Sequence, residues 1–124
     1  MPSNLDTGFF SEPSSEYYAA PQQLNQNGMI KGHQHITVQR LKGGRGALDA
    51  KTFDFFKGLN DQSADGRTLS VTIPAGTLRN GDYRICSITG TLTHQPVIMP
   101  VAQRGSQDDC IRIKVKSRSN RGKI

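Results

Sequence analysis

The chain of 124 residues carries 16 Lys and Arg against 10 Asp and Glu, a formal charge of +6, with 34% hydrophobic residues. That length holds one domain with a modest core, and no apolar run approaches the roughly 18–20 residues that cross a bilayer. Six cations (Arg112, Lys114, Lys116, Arg118, Arg121 and Lys123) crowd the last thirteen residues, so the body is neutral and gives no footing for nucleic acid.

Residues 1–28 are rich in Pro, Ser, Gln and Asn without a lasting period, which predicts a disordered arm. Within it, Phe9-Phe10 and Tyr17-Tyr18 are expected to be loose anchors. The arm shows neither the basic start nor the apolar stretch of a signal peptide. Asn27-Gly28 reads as a turn and as the domain boundary. A β domain is expected over 29–115 and a solvated basic tail over 116–124.

Residues 29–41 predict the first strand. Strand side chains alternate, so Ile30, Ile36 and Val38 share the core face while His33 and His35 share the other. LKGGRG at 41–46 predicts a loop, with no strand–loop–helix phosphate pattern. Residues 48–59 predict a helical turn at 49–52 and a strand at 53–57, whose phenylalanines supply much of the core. Strands follow at 68–74, 82–92, 96–102 and 110–115, with turn signals about every ten residues. The sum is a single antiparallel β-sandwich of about seven strands. Tyr83 stands three residues before Cys86, where an immunoglobulin corner needs two, and the chain has no Trp. The expected sandwich is therefore not an immunoglobulin domain.

Two cysteines permit one intramolecular pairing, Cys86–Cys110. Closing a loop of about 25 residues would contribute roughly 3.5 kcal/mol. The phrases GHQHITVQ (32–39), FDFFKGLND (53–61), GDYRICSI (81–88) and HQPVIMPVAQRGSQDDCIRI (94–113) resemble a family of small secreted proteins of filamentous fungi. In that family a similar domain closes the chain after a variable arm. The resemblance implies an extracellular, disulfide-bearing domain and no particular mechanism. The basic end SRSNRGKI departs from the family pattern.

The chemistry-bearing residues are few. His33 and His35, two apart on one strand, put their rings about 7 Å apart on one face. This is a spacing that chelates Zn²⁺ or Cu²⁺, and His94 could complete a set of three. Gln103, Arg104, Asp108 and Asp109, in a loop before the last strand, are candidates for contact with a ligand such as a glycan. Asp61 and Asp65 suggest turns rather than a carboxylate pair. No serine-hydrolase elbow occurs. The leading expectation is a secreted, non-enzymatic protein at a fungal surface, cell wall or host interface, with a wall polysaccharide or a protein as partner. The alternative is a metal-binding protein or metal-dependent enzyme built on the three histidines.

Overall fold

A computed structural model describes residues 4–17, 20–43 and 46–117. Its elements are β1 (Leu5–Asp6), α1 (Pro13–Glu16), β2 (Ile30–Arg40), β3 (Phe55–Leu59), β4 (Gly81–Thr91) and β5 (Cys110–Val115). They build one open sheet of five strands. The eleven-residue β2 is its spine. One edge of β2 pairs antiparallel with β4, from Gly32 opposite Thr91 to Arg40 opposite Tyr83. The other edge is shared: β1 lies parallel at Ile30 and Lys31, and β3 antiparallel along Gln34–Val38. β5 completes the sheet on β4.

The expected sandwich of about seven strands is not seen, because two of the expected strands make no ladder. Over 68–74 the predicted alternation survives only as burial, with Leu69, Val71 and Ile73 less exposed than their neighbours. Leu69 shares a cavity of about 230 Å³ with Leu5, Ile36 and Leu59. The segment thus contributes side chains without backbone pairing. Over 96–102 the backbone finds a side chain instead of a strand. Gln22 Nε2 donates to Ile98 O at 3.0 Å, and Ile98 N donates to Gln22 Oε1 at 2.7 Å. A primary amide so placed satisfies both ladder groups of that residue.

Residues directly opposite in the ladders share a face. Ile36, Val38, Phe55, Leu59, Tyr83, Ile85 and Ile113 fall together on one face. Val38 is fully buried, and Tyr83 and Leu59 nearly so. Tyr83 Oη donates to Arg79 O at 2.7 Å, which pins the approach to β4 from the strand itself. The predicted phenylalanine core is mostly absent: Phe53 and Phe56 are 44% and 47% exposed. Alternation sends Phe56 to the opposite face, and Phe53 precedes β3 and rests on Phe56 at 5.3 Å. The turn at 49–52 is a single one, held by Thr52 N donating to Asp49 O at 3.3 Å.

The arm expected to be disordered is stitched to the sheet at several points. Beyond β1, Phe9 N donates to Gly32 O at 3.1 Å and Ser11 N to Leu92 O at 2.8 Å. Thr7 Oγ1 accepts from Ser63 N at 2.7 Å. Residues 118–124, most of the predicted basic tail, lie outside the described residues.

Cys86 and Cys110 are bonded and directly opposite, with Cα atoms 4.1 Å apart and a separation of 24 positions in sequence. Replacing both by Ser is expected to cost about 3–4 kcal/mol in urea unfolding. Gly32 is a second weak point. A Cβ there would stand 2.1 Å from Gly90 O, so β2 and β4 would have to part. Gly32→Ala is expected to cost about 3 kcal/mol or more by the same measurement; a loss below about 1 kcal/mol would show that the strands yield freely.

Candidate metal centre

The second face carries His33 and His35 on β2, each opposite a small or apolar neighbour. His33 faces Gly90 across the ladder to β4; His35 lies between Ile88 on β4 and Gly58 on β3. A Cβ at Gly90 would touch the His33 ring at 3.5 Å, and one at Gly58 would touch His35 at 3.5 Å. The rings thus lie directly over these two glycines, at ordinary contact distance from where a Cβ would stand. His94 arrives from β4 by a tight turn, in which His94 N donates to Thr91 O and Thr91 N to Gln95 O. His94 itself adopts φ 68°, a left-handed conformation that is uncommon outside glycine. The turn folds His94 back over the strand it has just left.

The three imidazoles converge. Ring centroids are 4.8 Å apart for His33–His35, 4.6 Å for His33–His94 and 5.8 Å for His35–His94. One nitrogen from each falls within 4.8 Å of the others. Phe10 meets His33 edge-on at 6.2 Å, Phe56 lies 5.2 Å from His35, and Tyr17 stacks on His94 at 5.8 Å. His33 is completely buried, while its two partners are half-exposed.

Two arm carbonyls close the arrangement. His33 Nδ1 lies 3.0 Å from Phe9 O, and His94 Nε2 lies 2.9 Å from Ser11 O. A carbonyl only accepts, so both of those nitrogens carry hydrogen. Each neutral imidazole has one N–H, and both are now used. His33 Nε2 and His94 Nδ1 nevertheless face each other at 3.1 Å. Three contacts share two protons, and the pair in the middle is lone pair against lone pair. A third proton or a metal ion between the rings resolves it.

Burial and the neighbouring imidazoles hold the His33 pKa down to about 4, against a weaker upward pull from the Phe9 carbonyl. Burial, helped by His94, lowers that of His35 as well. Both rings therefore favour the neutral form that a metal requires.

The other candidates do not gather. Arg104 Nη1 folds back onto Val101 O and Ala102 O. Asp108 Oδ1 accepts from Ser87 Oγ, Thr89 N and Thr89 Oγ1 and so ties the loop to β4. Asp109 Oδ1 accepts from Cys110 N. Gln103 is exposed. Asp65 organises its own loop through Ser63, Arg67 and Thr68, whose hydrogen bonds hold its carboxyl well below the usual range. The site features missed from sequence are the Phe9 and Ser11 carbonyls and the glycines under the rings. Only strand register would have revealed the glycines.

Fold and site together define a small disulfide-held sheet domain with a cluster of three histidines at one end of one face. A family model described as the CLU5d N-terminal domain matches residues 2–116, and the chain belongs to that family. It is 45% identical over 115 residues to pathogenicity cluster 5 protein d of Colletotrichum graminicola, covering 90% of this chain and 24% of that protein. The chain thus spans about a quarter of the length of that curated relative. No solved structure matches significantly. The expectation of a domain that closes its chain gains no support from a family described as N-terminal.

The lowered histidines fix the sign of a pH effect. Unfolded histidines take up protons near pH 6.5, whereas folded His33 resists until about pH 4. Stability of the metal-free protein is therefore fully present above about pH 6.5 and is lost as the pH falls towards 4. The loss expected from His33 is about 3 kcal/mol. Urea unfolding in chelator across this window measures it; a flat profile would contradict the burial described.

Proposed function

We propose that this domain acts outside the fungal cell as a non-enzymatic, metal-holding binding domain of a pathogenicity-related protein. Its ion is Zn²⁺ or Cu²⁺, on His33, His35 and His94. The observation that carries the reading is the proton shortage between His33 Nε2 and His94 Nδ1, 3.1 Å apart. With metal–nitrogen bonds of about 2.0–2.1 Å, that separation corresponds to an angle of about 100° at a shared ion, close to tetrahedral. The Phe9 and Ser11 carbonyls then act as the outer partners that fix the tautomer of metal-binding histidines. His35 rotates inward, since nitrogens of a tetrahedral site lie about 3.3 Å apart. The disulfide supports an oxidising compartment. The printed name of the relative supports a place in pathogenicity.

A second reading concerns the rim. Phe10, Tyr17 and Phe56 are 48%, 51% and 47% exposed and surround the histidines. Such a rim suits a wall polysaccharide or a protein partner docking over the ion. Pull-down on chitin and glucan, with Phe56→Ala as control, tests it; equal retention of both chains would end it.

Calorimetric titration with Zn²⁺ and with Cu²⁺ is expected to give one ion per chain. His35→Ala and His94→Asn are expected to weaken it at least tenfold. Asn tolerates the left-handed backbone of position 94, and His35 is only half-buried, so both variants keep the fold. No heat at micromolar metal, in wild type and variants alike, would sink the proposal.

A further inference from the structure

At the other end of the histidine face, roughly 20 Å along β4 by strand rise, two arginines stand directly opposite each other. Arg84 on β4 pairs with Arg112 on β5. Like charges in such a pair repel. The strands cannot splay to relieve them, because the next pair on the same face is the Cys86–Cys110 disulfide. Both arginines line a cleft of about 660 Å³ together with Lys42, Lys114 and Asp82. Asp82 is the acid of the cleft, and it is spent on Lys114 at 3.7 Å. Lys42, Arg84 and Arg112 remain without a salt bridge among the described residues.

Arg84 is also under-used. Its Nη2 donates to Gln39 Oε1 at 2.9 Å. Its Nε is shielded from solvent and has no hydrogen-bond partner among the described residues. A guanidinium presents a planar fork of donors suited to phosphate and carboxylate oxygens. Here one donor is already held in place by Gln39, which orients the fork.

From this juxtaposition we infer that the cleft binds a phosphate monoester of a small organic molecule. Three uncompensated cations match a dianion better than a singly charged carboxylate. The cleft has the volume of small-molecule sites, about 300–1,000 Å³, and far exceeds a bare phosphate. Leu48 in its wall offers apolar contact to the organic part. The bound anion sits between Arg84 and Arg112 and cancels the repulsion that the disulfide locks in.

The test is thermal unfolding of the whole chain in chelator, at constant ionic strength, with inorganic phosphate, glucose 6-phosphate or sodium chloride. Phosphate and the sugar phosphate are expected to raise Tm, by about 5 °C at tenfold excess over the dissociation constant. Arg112→Ala is expected to start with a higher Tm, having lost the repulsion, and to lose the response at least tenfold in concentration. His94→Asn is expected to respond as wild type does, which keeps this site separate from the histidine centre. The inference is overturned if chloride produces the same shift, if Arg112→Ala responds unchanged, or if both soluble phosphates fail to raise Tm.

Discussion

The antiparallel ladder between β2 and β4 is the constraint on which everything else rests. It sets Gly32 against the backbone of Gly90 so closely that no side chain fits. It lays His33 over that same glycine and brings the turn carrying His94 back above it. Further along, the same strand β4 presents Cys86 and Arg84 to β5. One strand therefore organises the histidine end, the covalent clamp and the cationic end of a single face. A shift by one residue would turn all of these to the opposite side of the sheet.

The domain has little apolar core to spend. Among the described residues, the buried hydrophobic side chains are Val38, Leu59, Tyr83 and Val97. Polar groups occupy much of the remaining interior, and several are tied down individually. Thr93 Oγ1 donates to Ala20 O at 2.7 Å, and Gln39 Nε2 donates to Asp49 O and Thr52 O. Stability thus depends on cross-links between segments distant in sequence: the disulfide, the arm and side chains that pair with loop backbone. An enclosed metal would belong to the same economy, since ion binding to the native form adds directly to its stability.

The arm illustrates how a segment without sequence periodicity still finds a place. Its composition suggests disorder, and its side chains bury little. Its backbone nonetheless contributes a parallel strand and two carbonyls at the histidines. Backbone acceptors are common to every residue, so nothing in the letters Phe9 and Ser11 marks them. The loop 102–109 is the reverse case. Its charged letters suggest ligand contact, yet Asp108 and Arg104 are used in holding the loop itself.

Much of this was legible in the chain alone. Alternation placed β2 and its two histidines on one face, turn signals bounded β4 and β5, and two cysteines allowed a single bond. These are local facts, fixed by the period of a strand and by valence. The expected strands at 68–74 and 96–102 failed because pairing needs a free partner edge, which no local pattern contains. Whether His94 would reach His33 and His35 was likewise beyond the letters. The answer lay in a left-handed turn, a glycine opposite His33 and another opposite His35, and an arm folded across them, contacts between residues as many as 83 apart in sequence. Only the packed chain decides such distances, because each follows from strand register and not from any one segment.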